Sequence, residues 1–270
     1  ADTMEVLADV SIDISQMKKI VLKTNGCVVW GGALNLAPAD DKIISVEKPL
    51  GIDAESQLLA SIMSKKYSVS STHILIDIPV GNDAKVKNRL EALKLKRDFE
   101  IIGRKLKKKI KVILTDGTQP IGNGIGPALE ARDVLWLLRR DSRRPLDLEK
   151  KCMYMAACIF ELAGIKNGCK KATELLESGK AYQKMVEIIK AQNGKITKPE
   201  QIKIGKYSYD VVSGKNGVIK DIDNIAVSKI ARIAGAPVDK GAGVYLYKHI
   251  KDKVKKGEKL FTIYTESKDK

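Results

Sequence analysis

The sequence predicts an α/β protein: a mostly parallel sheet covered by helices, with a small helical lobe inserted and an α+β domain at the C-terminus. Three observations predict this. Strand-length apolar runs alternate with amphipathic helical stretches after residue 73, the βαβ rhythm of a parallel sheet. A helical segment at 38–67 precedes that rhythm. From about Tyr207 the texture changes to short β runs around one helix.

Residues 1–37 are read as the end of a first part of the α/β domain. They predict helices at Thr3–Leu7 and Ile14–Lys23, then a strand, Gly26-Cys27-Val28-Val29-Trp30, whose apolar run suits a buried parallel strand. Residues 38–67 form the helical lobe segment. Within it, Asp53 stands where an N-cap belongs, just before the helical run from Ala54 to Ser61. The α/β domain occupies 68–206. It opens with a strand at 73–80, in which Pro79 suggests a sheet edge or a bulge.

A long amphipathic helix follows, from about Val86 to Lys108, with Val86, Leu90, Leu93 and Ile101 among its apolar positions. Then come a strand at Ile110–Asp116, a glycine loop and a helix with Pro127 near its first turn. Residues 128–192 read as helical, punctuated by Gly164, Gly168, Gly179 and Gly194. Residues 207–270 form the C-terminal domain, with β runs at Val211-Val212, Gly217–Ile219, Val244–Tyr247 and Leu260–Tyr264 and a helix from Asp223-Asn224 to Ala234. Its tail, Lys248–Leu260, has the Asp-x-Val-x-x-Gly-x-x-Leu spacing of half a lipoyl-type barrel, so a barrel-sandwich-like fold is expected. A carrier domain needs a lysine on a tight hairpin, usually beside Met, and no Met lies beyond Met185. The module therefore reads as structural or oligomer-forming.

Composition narrows the function classes. A chain of 270 residues, 44% hydrophobic and 30% charged, can bury the cores of two or three domains. No apolar run is long enough for a membrane span. The start, Ala1-Asp2-Thr3-Met4-Glu5, lacks a signal peptide's basic and apolar regions, so a cytoplasmic location is expected. It also lacks an initiator Met, which suggests that a segment precedes it. Cys27, Cys152, Cys158 and Cys169 form no C-x-x-C pair and read as reduced thiols. Neither His73 nor His249 has the spacing to join them in a zinc site, and no cofactor is expected. The net charge of +16 would favour anionic substrates or nucleic acid. A lysine-rich solvated surface accounts for it equally simply, and the basic runs Lys105–Lys111 and Lys251–Lys256 carry no interleaved aromatics. With 5% aromatic residues, a base-stacking platform is disfavoured, and nucleic acid with it.

Four features carry possible chemistry. Asp53 and Ser61 are eight residues apart, about 12 Å along a helix and on much the same side. Lys65, one turn beyond Ser61, shares that face. Plain capping by Asp53 and a solvated face for Ser61 and Lys65 are the simpler alternatives. Lys85 follows the 73–80 strand closely, and ligands of open α/β sheets bind beyond the carboxyl ends of strands. A surface lysine at the start of a basic helix is the other reading. The run Gly122-Asn123-Gly124-Ile125-Gly126-Pro127 could cradle phosphate with its N–H groups. It equally suits a tight turn that lines a site without holding phosphate.

The segments Asn35–Asp41, Asp53–Lys66, Ile74–Gly81, Asp116–Glu130 and Asp239–Thr265 resemble the nucleoside phosphorylase family of the thymidine phosphorylase type, and within it the archaeal AMP phosphorylase branch. The resemblance covers nearly the whole chain. Pyrimidine-specific members carry a base-contacting arginine shortly before the helical insertion; here the matching region reads Ser45-Val46-Glu47-Lys48, with Val46 in its place. The resemblance then implies Asp53 as proton donor to the leaving base, and Ser61 and Lys85 as contacts to AMP. Lys65 matches a base contact of the pyrimidine enzymes. It also implies inorganic phosphate as co-substrate, a homo-oligomer, and a further N-terminal portion carrying the family's glycine-, serine- and threonine-rich phosphate loops, without which the chain should be inactive. A pyrimidine nucleoside phosphorylase is the same-class alternative. A basic nucleic-acid-binding protein or an assembly module is the alternative from another class.

Overall fold

The structure is a computed structural model that describes residues 1–32, 34, 37–50 and 55–269; the side chains of 41, 47–50 and 55 lie outside that description. It is a mixed α/β arrangement. Helices α1 (Asp2–Glu5) and α2 (Ile14–Thr24) come first, α2 capped by the Asp13 carboxylate on the Gln16 N–H (2.8 Å) and closed by Asn25 in the left-handed region. Helices α3 (Pro38–Leu50) and α4 (Glu55–Ser68) follow. Strand β1 (His73–Val80) runs through helix α5 (Arg89–Lys105) to strand β2 (Lys109–Asp116), which pairs with it in parallel, His73 opposite Lys109 and Val80 opposite Asp116. Pro79 sits in register with Thr115 and makes no bulge.

The expected strand at 26–30 is not one. The segment is extended, but its hydrogen-bonding groups go to a side chain and a loop, and Val28 and Trp30 are exposed. The side chain of Gln192 accepts from the Val28 N–H (2.9 Å) and donates to the Val28 carbonyl (2.9 Å) and the Asp9 carbonyl (2.6 Å). The Trp30 N–H donates to the Val10 carbonyl. Among the described residues the parallel sheet therefore has two strands.

The buried face of α5 also differs from expectation. Ala92, Leu95, Phe99 and Gly103 point inward at helical spacing, whereas Leu90 is 80% and Leu93 44% exposed. Asn88, capping the Glu91 N–H, starts the helix three residues later than expected, and at about 100° per residue the stripe of 92, 95, 99 and 103 turns away from Leu90 and Leu93. Gly103 is required by packing, because a Cβ there would lie 2.4 Å from the Ile110 side chain. Ile74, Ile76 and Ile78 of β1 meet this face and close one core with Met63 of α4 and Val86.

The glycine loop contributes a short strand, β3 (Gly124–Ile125), before helix α6 (Pro127–Leu138), where Pro127 is the first helical residue. Helices α7 (Leu146–Leu162), α8 (Gly168–Glu177) and α9 (Lys180–Ala191) follow. Gly164 and Gly179 lie between helices in positive-φ conformations, while Gly168 opens α8. A second core joins α1, α6 and α9 through Met4, Leu7, Ala131, Leu135 and Ile189.

In the C-terminal part, β4 (Tyr207–Val212), β6 (Gly243–Leu246) and β8 (Lys259–Thr265) form an antiparallel sheet in the order β3-β6-β8-β4. Strands β5 (Gly217–Val218) and β7 (Lys253–Val254) make a separate pair, and helix α10 (Asn224–Ile233) packs on the larger sheet. These two antiparallel sheets stand where a barrel-sandwich was expected. Because β3 belongs to the larger one, that sheet reaches across residue 207 into the preceding segment. No described helix is long and apolar enough to cross a membrane.

Gln192 is fully buried, and the segment at 26–30 depends on it. Gln192→Leu keeps the volume but strands the N–H and carbonyl of Val28 and the carbonyl of Asp9. We expect it to cost about 2–4 kcal/mol in a urea unfolding titration; a loss under half a kcal/mol would mean water replaces the amide freely.

Candidate functional site

The lobe is organised by an acid that sequence reasoning passed over. Asp40 lies in the first turn of α3 and is 7% exposed. Its Oδ2 accepts from Ser61 Oγ (2.8 Å) and pairs with Lys65 Nζ (2.9 Å), and its Oδ1 accepts from Gln57 Nε2 (3.3 Å). Residues 57, 61 and 65 recur every four positions along α4, so one face of that helix converges on one carboxylate. Burial works to raise the Asp40 pKa, but the bonds from Lys65 and Ser61 and the Lys65 charge outweigh it and hold the carboxyl below its ordinary range. The network therefore stabilises the lobe above that range and fails as pH falls through the lowered value. The sequence holds the parts, an acid two residues after Pro38 and three polar positions at helical spacing downstream, but pairs them only once α3 and α4 lie side by side.

Ser61 and Lys65 are thus drawn together, and neither is a bare solvated position. Asp53 lies outside the described residues, as do Asn35 and Leu36. Lys85 is exposed in the turn between β1 and α5. That turn folds back on its own strand: the Gly81 N–H donates to the Val86 carbonyl and the Ala84 N–H to the Gly81 carbonyl. Gly81 packs on Gly117 so tightly that a Cβ would sit 2.4 Å from its carbonyl oxygen, which binds the carboxyl ends of β1 and β2 together. Ser61 precedes Ile62 and Met63, Lys85 precedes Val86, and those three apolar residues share one core. Both polar residues are therefore anchored to the same packed unit. The rim is braced from the C-terminal part, where the Asn224 N–H donates to Asp83 (3.1 Å) and the Asn224 amide to the Gly117 carbonyl (3.2 Å).

The glycine loop does not have the free N–H groups of a phosphate cradle. Asn123 and Gly124 donate to Asp133 Oδ2 (2.8 and 2.7 Å), and Gly122 donates to Asp147 Oδ2 (3.0 Å). The Gly126 N–H goes to Glu130 (3.2 Å) and that of Ala128 to the Lys240 carbonyl. The protein's own carboxylates occupy the positions a phosphate would take, so the tight-turn reading holds. Burial raises the Asp133 pKa to about 6, against the opposing pull of the Gly124 and Asn123 N–H groups and of Arg132, while Asp147 adds a further raising charge.

Residues 218–270 match the model of the pyrimidine nucleoside phosphorylase C-terminal domain. Over 270 residues the chain is 49% identical to an AMP phosphorylase from Thermococcus kodakarensis, covering 98% of this chain and 54% of that protein. It is 48% identical over 268 residues to a "Putative thymidine phosphorylase" from Bradyrhizobium diazoefficiens, with 98% and 52% covered.

Over almost its whole length the chain is similar to nucleoside phosphorylases. It spans about half the length of the curated relatives it matches. Val46 is exposed on α3. Among the described residues no group of three or more His, Cys, Asp or Glu side chains converges as a metal site.

An aspartate whose pKa rises from 3.8 to about 6 on folding holds its proton more tightly in the native state. The native state is then relatively favoured at low pH and loses roughly 2 kcal/mol as pH climbs from 4 to 7. Asp133→Asn removes that loss. The stability of the variant relative to wild type should therefore increase by about that amount between pH 4 and pH 7 in urea titrations; a constant difference would show that Asp133 does not titrate there.

Proposed function

We propose that this chain is part of a phosphorolytic pentosyltransferase that acts on nucleoside 5′-monophosphates, with AMP as the substrate. Phosphate attacks C1′, the C1′–N9 bond breaks with its electron pair leaving on adenine, and ribose 1,5-bisphosphate forms. The observation that carries this reading is the 49% identity to an AMP phosphorylase along almost the entire chain. The exposed valine at position 46 supports it, since a base-gripping arginine is what the pyrimidine branch would need there.

Each residue has a role that follows from its chemistry. Asp53 would donate the proton that turns the departing purine anion into neutral adenine, and general acid catalysis of this kind is worth about 10²–10⁴-fold. Ser61 spends its own proton on Asp40, so it offers lone pairs and would accept from the exocyclic amine of adenine. Lys85, on the carboxyl side of β1, would meet the 5′-phosphate. Inorganic phosphate would be held by the further portion of the enzyme that the length of the relatives implies. Lobe and rim would then close on the nucleotide and exclude water.

A pyrimidine nucleoside phosphorylase is the second reading, favoured by the matched C-terminal domain and by the name of the Bradyrhizobium relative. A phosphorolysis panel of AMP, CMP, UMP, uridine and thymidine, run with the full-length enzyme, separates the two. AMP turning over at least about tenfold faster than thymidine supports the first; the reverse order supports the second.

Two variants of the full-length enzyme test the roles. Asp53→Asn should lower kcat about 100-fold or more and remove the high-pH limb of the rate profile; an unchanged profile would reduce Asp53 to a helix cap. Lys85→Ala should raise KM for AMP about tenfold while barely changing KM for adenosine. Equal effects on both would move Lys85 off the phosphate.

A further inference from the structure

Helix α7 presents an unusual face to the parallel strands. Asp147, Lys150, Lys151 and Tyr154 recur at i, i+3, i+4 and i+7, so they lie on one side of the helix. A helix covering a sheet ordinarily puts apolar side chains there, and α7 does so only further on, where Ala157 and Cys158 are buried. Its polar stretch faces the carboxyl end of β2 across a cavity of about 350 Å³, within the size range of small-molecule sites.

Most polar groups around this cavity are already committed. Asp77 accepts from Thr115 Oγ1 (2.7 Å) and pairs with Lys151 (2.8 Å). Asp147 accepts from the N–H groups of Gly122 and Leu148. Asp116 Oδ1 takes both the N–H and the hydroxyl of Thr118. Gln119 Oε1 accepts from the Ile250 N–H (2.8 Å).

The remainder defines a ligand. Among the described residues, Lys150 has no hydrogen bond or ion pair, the amide N–H groups of Gln119 are unspent, and Asp116 Oδ2 accepts nothing. The Thr118 bonds, with the Lys251 and Lys151 charges, hold Asp116 ionised below its ordinary range, ready to accept. One ammonium and one amide call for an anion, a lone carboxylate oxygen calls for a hydroxyl, and Tyr154 and Pro120 offer apolar walls.

We infer that this cavity binds a small phosphorylated sugar or polyol, its phosphate on Lys150 and the Gln119 amide and a hydroxyl donated to Asp116. Binding here does not depend on the phosphorolytic reading. The test is calorimetry on the 270-residue chain with ribose 5-phosphate, inorganic phosphate and ribose as probes. Ribose 5-phosphate should bind saturably, and the other two at least about tenfold more weakly. Lys150→Ala should weaken ribose 5-phosphate about tenfold, and Asp116→Asn should weaken it without affecting inorganic phosphate. Lys150 is exposed, so its variant should melt as wild type does. Absence of saturable binding, equal binding of inorganic phosphate, or unchanged affinity in Lys150→Ala would each overturn the assignment. No nucleobase and no turnover enter the measurement, so its failure leaves the phosphorolysis panel to stand or fall by itself.

Discussion

A single buried carboxylate, Asp133 on α6, decides where the chain goes after β2. Its Oδ2 takes the N–H groups of Asn123 and Gly124 at once, so the loop must curl over the first turns of the helix that follows. In that position Gly124 lies so close to Leu129 that a Cβ would be 2.5 Å from the Leu129 backbone. Gly124 and Ile125 are then presented edge-on to Tyr245 and Val244, and the C-terminal sheet gains its first strand. The helical core around α6 and the sheet around α10 are thereby joined through three residues of loop. The cost is desolvation of a charge, visible in the raised pKa, and two charge-assisted bonds offset much of it.

The same device recurs across a strongly basic molecule. Asp40 gathers α4 onto α3, Asp77 ties β1 to both β2 and α7, and Asp83 meets the first N–H of α10. Acids are the minority charge here, 33 against 49 basic residues, yet Asp133, Asp40, Asp77 and Asp83 each occupy a junction between elements. The physical reason is geometric. A carboxylate accepts several bonds in a small volume, whereas a lysine must carry a long stem and keep its head in water. Cations are left to the surface, and elements are joined by the acids.

Much of this was legible in the sequence, and the failures have identifiable causes. The order of helices and strands from 73 to 138, the Asp223 cap and the proline that opens α6 follow from period, capping and turn chemistry, all local properties. The strand predicted at 26–30 failed because an apolar run specifies burial and extension but not a neighbour to pair with; Gln192, more than 160 positions away, supplies the partner instead. The face of α5 was misjudged because the helix carries apolar residues on more than one side, and spacing alone does not say which side meets β1; Ala92, Leu95 and Phe99 do. The phosphate-cradle reading of the glycine loop failed because its N–H groups are claimed by Asp133 and Asp147, a contact that loop composition does not encode. Spacing put Ser61 and Lys65 on one helix face, and the family resemblance singled them out. Asp40, to which both are bound, carries no meaning until α3 and α4 are placed side by side.

That placement gives the proposed site its electrostatic character. Asp40 pairs with Lys65 at 2.9 Å and takes the Ser61 proton, so the α4 face presents a paired charge and a hydroxyl with its proton already given away. Such a surface suits a neutral heterocycle, which charge would neither attract nor orient. On the proposed reading it also discriminates. An amine on the base can donate to Ser61, whereas a carbonyl in the same place would set acceptor against acceptor and leave both unpaired, the kind of mismatch that outweighs differences in shape. Positive charge is meanwhile kept on the β1 side of the shared core, at Lys85, where a phosphate and not a base would profit from it. Division of labour between a neutral, hydrogen-bonding lobe and a cationic rim is what a nucleotide requires, since its two ends differ in the same way.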